Sequence, residues 1–165
     1  MVEISQAGMI LVTVGSTLFP FQRMTTLVEH LAHFIPAKEK IIYQYGHAAP
    51  HFLDTKIDAH AFLPHATLIR YMRLSNIIIC HGGPATIYQA LSFGKIPWVL
   101  PRKAQFGEHL NDHQMDFSDF MFAHNLIRIV TPSTPMTEIY TVKKHIPPIH
   151  TQNTILMDHL HAIVR

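Results

Sequence analysis

The sequence predicts an α/β fold: a Rossmann-like parallel sheet of about six strands, with helices on both faces. Short, almost uninterrupted apolar runs, typical of strands buried on both faces, alternate with segments whose apolar residues recur at helical spacing. This alternation implies parallel strands joined by right-handed crossovers. The chain has 165 residues and neither an internal repeat nor a linker. We therefore expect one domain over residues 1–165, with its core at 9–130 and a helical extension at 150–165.

The first half of the chain contains three predicted strands and two predicted helices. The apolar run Met9–Val14 is the first strand. Apolar residues at helical spacing then predict a helix from Phe21 to Phe34. The runs Lys40–Tyr45 and Ala59–Leu63 are the second and third strands. Pro64 opens a helix of about ten residues, because its fixed φ suits a helix start.

The second half repeats the pattern. Its predicted strands are Asn76–Cys80, Ile96–Leu100 and Leu126–Val130. Pro84 is placed to open the helix after the first of these strands, and Gly94 is placed to cap its end. A long amphipathic helix is predicted from His109 to about His124.

The C-terminal part of the chain divides into two predicted segments. Thr131–Pro148 contains four of the 11 prolines and is predicted to be irregular. Gln152–Val164 is predicted to be a helix, whose apolar residues could pack on this domain or on a partner.

Composition narrows the possible functions. The net charge is only +2 and no Lys/Arg cluster stands out, so we expect no nucleic acid partner. The single cysteine, Cys80, permits no internal disulfide and is expected to pack as a small hydrophobe. No apolar run approaches the roughly 20 residues of a membrane span, and Met1–Gly8 has no signal-peptide pattern. We therefore expect a cytoplasmic chain that meets a membrane only peripherally or through another chain.

Polar, glycine-bearing loops follow three of the predicted strands, at Gly15–Thr17, His81–Thr86 and Arg102–Gln114. Ligands of open parallel sheets bind at the carboxyl ends of the strands. Two of these loops lead into helices, whose N-terminal N–H groups favour a phosphate. A glycine after a single strand often only forms a turn, so the prediction of a ligand site rests on the three loops together. No Walker-type GxxxxGK sequence and no GxGxxG fingerprint occurs.

The third loop concentrates polar side chains at a helix start, where a structural helix needs only one cap. Asp112 and Gln114 could bind ribose or sugar hydroxyls. His109 and His113 are four residues apart, which is also a spacing of metal ligands. However, the zincin order is absent because Glu108 precedes His109. The chain also lacks an Asp-x-Asp motif, so we expect no metal and no other cofactor.

Several motifs together resemble the C-terminal domain of glycosyltransferase family 28. They are Val12–Ser16 with Pro20 and Phe21, His81–Thr86, Gly94–Pro97, Pro101 with Arg102, Gly107–His109 and Asn111–Gln114. The resemblance runs from about Met9 to Val130. It is strongest to short bacterial exopolysaccharide or capsule glycosyltransferase subunits. These are similar to the catalytic subunit of the two-part enzyme that adds N-acetylglucosamine to a dolichol-linked sugar.

The resemblance implies one half of a GT-B glycosyltransferase, working in exopolysaccharide or capsule biosynthesis. This half would bind a UDP-sugar as donor, without a metal. A membrane-associated partner subunit would bind the polyprenyl-diphosphate-linked glycan that accepts the sugar. The chain would then act at the inner face of the membrane through that partner. The transfer would be a single inverting step, and helix N-termini would stabilise the leaving UDP.

The resemblance also implies roles for individual residues. The backbone of Phe62 and Leu63 would face the uracil. The diphosphate would be held by Gly15, Ser16, Gly82, Gly83, Pro84, Ala85 and Thr86. The donor sugar would lie near Asp112, His113 and Gln114. The other predicted donor-site residues are Arg102, Glu108, His109 and Asn111.

Two positions leave alternatives open. His81 is the local candidate for the general base, but the base could come from the partner, and His81 could instead be a buried turn histidine. Gln89 stands where many relatives have a glutamate that binds the ribose. That difference favours an alternative function, a non-catalytic regulatory subunit that stabilises another glycosyltransferase. A stand-alone enzyme with a soluble acceptor is disfavoured because 165 residues cannot form both GT-B halves.

Overall fold

The computed structural model of the chain describes residues 8–141. Its strands are β1 (Met9–Thr13), β2 (Lys40–Gln44), β3 (Ile57–His60), β4 (Ile77–Cys80), β5 (Trp98–Val99) and β6 (Arg128–Ile129). Its α-helices are α1 (Gln22–Phe34), α2 (His65–Leu74), α3 (Pro84–Ser92), α4 (His113–Ala123) and α5 (Met136–Thr141). Within residues 8–141, no helix combines the length and the hydrophobicity that crossing a membrane requires.

The strands form one parallel sheet in the order β3-β2-β1-β4-β5-β6. Val12 of β1 pairs with Tyr43 of β2 on one side and with Ile79 of β4 on the other. The order of the strands along the chain reverses between β1 and β4, which opens a crevice at their carboxyl ends. The predicted fold class is confirmed.

The central strands β1 and β4 are apolar and almost fully buried, so helices cover the sheet on both faces there, whereas the edge strand β3 is partly exposed. Val12 faces a core built with α1 and α5, whereas Leu11 faces α2 and α3. Cys80 packs in a third cluster with residues of α3 and α4, and burial raises the pKa of its thiol to about 12. The expectation that Cys80 is a buried small hydrophobe is confirmed.

Several element boundaries differ from the sequence prediction. Strand β3 ends at His60 rather than at position 63, and strands β5 and β6 each cover only two of the five residues predicted. Helix α4 begins at His113, four residues later than expected. Hydrogen bonds from backbone to nearby side chains take the place of the predicted first turn. The N–H of Asn111 donates to His109 Nδ1, and the N–H of His113 donates to Asn111 Oδ1.

The region predicted to be irregular after β6 contains helix α5, so that prediction was wrong for Met136–Thr141. Pro135 precedes the helix directly, and its carbonyl accepts the N–H of Glu138 at 3.0 Å. Ile139 is fully buried against the sheet, which gives the short helix its tertiary support. The predicted helix Gln152–Val164 and the extension at 150–165 lie outside the described residues.

Helices α2 and α3 are joined at their C-terminal ends. Gly94 takes the left-handed conformation expected of a cap, with φ 72°. Lys95 then extends its ammonium to α2, where it donates to the carbonyl oxygens of Met72, Arg73 and Ser75. These carbonyls have no partner within a helix, so the lysine satisfies them and opposes the negative end of the helix dipole.

We predict that Lys95→Met lowers the free energy of unfolding by about 2 kcal/mol, because three charge-assisted bonds to carbonyls, two of them partly buried, are lost. Urea denaturation measures the change. Lys40→Met is the matched control, since Lys40 makes a single bond to the Thr55 carbonyl at an exposed position. Equal losses in the two variants would contradict the capping role of Lys95.

Candidate functional site

The candidate site lies at the carboxyl ends of β1 and β4, the neighbouring strands between which the sheet reverses its order along the chain. Three loops meet there. The turn after β4 begins at His81, whose N–H donates to the carbonyl of Thr13 at 3.2 Å. The loop after β5 reaches the loop after β1 through Arg102, whose Nη1 donates to the carbonyl of Phe19. The structure thus brings the three sequence-predicted loops to one edge.

His81 lies between two glycines. A methyl group added to Gly15 would come within 2.6 Å of the His81 ring, and one added to Gly83 would overlap His81 Nε2. Gly15 also has a φ of +75°, which few residues other than glycine adopt. Both glycines are therefore required by the packing of the imidazole, in addition to any close approach of a ligand.

The imidazole of His81 is uncharged at neutral pH. Burial lowers its pKa to about 4, with the nearby positive charge of Arg102 as a second cause. Within residues 8–141 its Nδ1 is buried and has no hydrogen-bond partner. A base with this pKa is weak near pH 7, so the unliganded geometry favours a role in holding the glycine turns over that of general base.

Gly82 places the same turn against helix α4. A methyl group on Gly82 would lie 2.8 Å from Ser118 Oγ and 3.0 Å from the Gln114 carbonyl. Gln114 also accepts the backbone N–H of Arg102 through Oε1 at 3.4 Å. The predicted diphosphate turn and the predicted sugar-binding helix start are therefore in direct contact.

Helix α3 begins at this turn, and its N-terminus has no side-chain cap. Gly83 is the N-cap residue and Pro84 is the first helical residue, and neither a side-chain cap nor an acidic residue lies in the first turn. The N–H groups of Ala85 and Thr86 have no intrahelical acceptor at such a position. An anion at this end would gain both hydrogen bonds and the positive end of the helix dipole.

Arg102 is fully buried, so its side chain does not reach the surface of the site. Nη1 donates to the carbonyls of Phe19 and Glu108, Nη2 donates to the carbonyl of Val14, and the guanidinium stacks on Phe21 at 4.5 Å. Burial lowers its pKa only to about 10, so Arg102 remains a cation at neutral pH. In this conformation it acts on the site through the loops it holds, rather than through the direct contact that the sequence suggested.

Glu108 is also engaged with the protein itself. Its carboxylate pairs with Arg23, which lies on α1, and accepts the backbone N–H of Lys103 at 2.9 Å. Arg23 and Lys103 both lie against the ring of Phe106. Glu108 therefore fixes the shape of the loop after β5, and its carboxylate is buried away from the crevice.

Gln44 is a site residue that sequence reasoning missed. Its Nε2 donates to Thr13 Oγ1 and to the carbonyl of Gly15, and its Oε1 accepts the N–H of Leu63 at 3.1 Å. The backbone N–H predicted to face a uracil is thus already bonded in this conformation. The available signal was a polar residue ending the otherwise apolar strand β2.

The remaining predicted residues lie around the rim. Ser16, Pro84, Ala85, Asn111, Asp112 and His113 are exposed. Asp112 accepts the N–H of Ala104 through Oδ1 at 2.8 Å, and the His109 ring lies 6.1 Å from that of Phe19. Two further predicted residues contact other side chains: the Phe62 ring lies 5.2 Å from that of His47, and Gln89 Nε2 donates to Ser92 Oγ at the end of α3.

We predict that Gly15→Ala destabilises the fold more than Gly107→Ala, by about 1 kcal/mol or more. Both glycines have positive φ and share the backbone strain, but a methyl group meets nothing within 4 Å at Gly107 and clashes with His81 at Gly15. Displacing the ring toward water also raises the pKa of His81 in the Gly15 variant only. Urea unfolding and histidine NMR titration measure the two effects, and equal behaviour of the variants would contradict the packing described.

Comparisons with known proteins agree with this architecture. The model of the glycosyltransferase family 28 C-terminal domain matches residues 9–140. No curated protein matches the sequence. Solved structures that resemble the fold include the glycotransferase of kitacinnamycin, with a TM-score of 0.66 and 16% identity over 86% of this chain and 36% of that chain. They also include MurG from Acinetobacter baumannii, with a TM-score of 0.59 and 15% identity over 93% of this chain and 50% of that chain.

A third structure, the glycosyltransferase SnogD from Streptomyces nogalater, gives a TM-score of 0.53 and 14% identity over 93% of this chain and 44% of that chain. This chain therefore spans only about a third to a half of the length of these structures. At such identities the likeness shows a shared fold. The match of the family model over most of the chain shows the family itself: this chain belongs to the glycosyltransferase family 28 C-terminal domain family.

Proposed function

We propose that this chain is the donor-binding, catalytic half of a two-part glycosyltransferase. It would transfer a sugar from a UDP-sugar to a polyprenyl-diphosphate-linked acceptor in exopolysaccharide or capsule biosynthesis. The observation that carries the proposal is the free N-terminus of α3 at the switch point of the sheet, flanked by the glycine turns at Gly15 and Gly83.

The electrostatics of the site suit a diphosphate. The N–H groups of the first turn of α3 carry partial positive charge, and no acidic residue opposes them there. Arg102 adds a buried positive charge behind the turn after β1. A diphosphate at this edge would therefore be stabilised by the protein itself, which agrees with the lack of an Asp-x-Asp motif for a bridging metal.

The start of α4 suits the donor sugar. Asp112, His113 and Gln114 lie there, and the contact between Gln114 and Gly82 places this helix start beside the diphosphate turn. Asp112 uses one carboxylate oxygen for the Ala104 N–H, which leaves the other for a hydroxyl. A sugar attached to the β-phosphate would extend from the turn toward these side chains.

The proposed reaction is a single displacement at the anomeric carbon. The acceptor oxygen forms a bond to that carbon, while the bond from the carbon to the β-phosphate oxygen breaks and UDP leaves. The helix N-terminus stabilises the charge that develops on the diphosphate. A base must take the proton of the acceptor hydroxyl, and the low pKa of His81 leads us to place that base on the partner.

The acceptor half is proposed to be a membrane-associated partner subunit that holds this chain at the inner face of the membrane. The chain covers 36% and 50% of two solved structures that share its fold. Large apolar side chains are also exposed on the loops beside the site, where Leu18 is 77% and Leu110 is 81% exposed. Exposed apolar residues at the crevice fit a surface that closes against a second domain.

A regulatory subunit without catalytic function remains the second candidate, favoured by Gln89. Its amide nitrogen is bonded to Ser92 Oγ at 3.0 Å, so the side chain is held against its own helix. A chain of this kind would stabilise another glycosyltransferase without binding a donor. Donor binding by the isolated chain therefore separates the two candidates.

We predict that Asp112→Ala and Gln114→Ala each weaken UDP-sugar binding about ten-fold without unfolding the chain, because each removes a hydrogen bond to a sugar hydroxyl. Isothermal titration calorimetry measures the affinity, and circular dichroism checks the fold. Asp119→Ala is the matched control, since Asp119 is exposed farther along the same helix. Unchanged affinity in both site variants would remove the sugar-site assignment.

We predict that Leu110→Glu lowers sugar transfer at least about ten-fold but leaves UDP-sugar affinity unchanged, because a charge is placed in a surface that must lose water. Transfer is measured as label moved from a radioactive UDP-sugar into lipid extracts, after the purified chain is mixed with membranes of the source cells. Leu53→Glu is the control, since Leu53 is 96% exposed near the opposite edge of the sheet. Full transfer by the Leu110 variant would argue against a partner at the crevice.

A further inference from the structure

We propose that Arg102 is a positioning residue of the donor site: it fixes the two loops that carry the donor contacts and supplies the positive charge behind the diphosphate. The inference rests on the proposed function, because it assigns a role to Arg102 in the same donor site. It differs from direct recognition, in which the guanidinium would touch the donor.

The first argument is geometric. The guanidinium binds the carbonyls of Val14 and Phe19 in the loop after β1 and that of Glu108 in the loop after β5. Val14 immediately precedes Gly15 of the predicted diphosphate turn, and Glu108 lies in the loop that leads to the start of α4. One side chain therefore sets the distance between the diphosphate turn and the sugar-binding loop. A guanidinium holds its acceptors in a rigid planar fork, whereas the donors of an ammonium rotate about a flexible stem.

The second argument concerns charge. Arg102 lies near a second arginine, Arg23, and near the carboxylate of Glu108, which pairs with Arg23. Arg102 bonds only to the carbonyl of Glu108 and to two other neutral carbonyls, so no carboxylate pairs with it directly. Its Nε is buried and makes no hydrogen bond within residues 8–141. The nearby Glu108 carboxylate raises the pKa of the Arg102 guanidinium but does not hydrogen-bond to it, and an arriving diphosphate would supply further negative charge to this buried cation.

A purely structural arginine predicts a different pattern. Its replacement would lower stability and leave ligand affinity unchanged in the folded protein. If Arg102 positions the loops and supplies charge, its replacement lowers the affinity for UDP while the protein remains folded. The two contributions can be separated, because lysine keeps the charge and loses the fork, whereas methionine loses both.

Arg128 offers a matched control. It also lies over an aromatic ring, that of Trp98 at 5.8 Å, and it donates to the carbonyl of Ile96. Burial lowers its pKa as it does for Arg102. However, Arg128 begins β6 and so lies at the amino edge of the sheet, away from the candidate site.

The experiment compares wild type, Arg102→Lys, Arg102→Met and Arg128→Met at a temperature where circular dichroism shows each to be folded. UDP affinity is measured by calorimetry and the pKa of His81 by NMR titration. We expect Arg102→Met to lose at least about ten-fold in UDP affinity, Arg102→Lys to lose less, and Arg128→Met to stay within about two-fold of wild type. The pKa of His81 rises in Arg102→Met, because the neighbouring positive charge is removed, and stays low in Arg102→Lys.

The outcomes separate the two proposals. If wild type binds UDP and the folded Arg102 variants bind it equally well with an unchanged His81 pKa, the positioning role is overturned. If Arg102→Met does not fold, the affinity of Arg102→Lys decides, since loss of the fork alone must weaken binding. If wild type itself binds no UDP, the proposed donor function is overturned, and this inference falls with it.

Discussion

The arrangement of the site depends on one packing contact, the imidazole of His81 seated between Gly15 and Gly83. The contact links the ends of β1 and β4 at the point where the sheet reverses its order. It requires glycine on both sides and an uncharged ring, which burial ensures. The buried His81 imidazole thus supports the turns at Gly15 and Gly83, whose backbone could receive a phosphate.

A second layer of interactions surrounds this contact. Gln44 joins the turn after β1 to Leu63, and Arg102 joins it to the loop after β5. Both side chains are buried, and most of their hydrogen bonds go to backbone groups. Such a layer preorganises the rim, where Asp112 and Gln114 would meet a donor in the proposed function.

The sequence was sufficient for the six strands and for the three loops that meet at one edge of the sheet, because these depend on local patterns. Apolar runs identified the strands, and glycine or proline marked the ends of α3. It was insufficient where distant contacts decide. The role of Arg102 depends on carbonyls up to 88 residues away, and Pro135 supports a helix only because Ile139 finds a place on the sheet. Hydrogen bonds to the side chains of His109 and Asn111 likewise place the start of α4 at His113, later than the sequence predicted.

The central claim is that this chain binds the nucleotide part of a UDP-sugar by itself. Saturation-transfer NMR of the purified chain with UDP, and with ADP and GDP as controls, tests it most directly. The account predicts transfer to the uridine protons of UDP and none to the purine nucleotides. Equal transfer to all three nucleotides, or none to any, would contradict a donor site preformed in this chain.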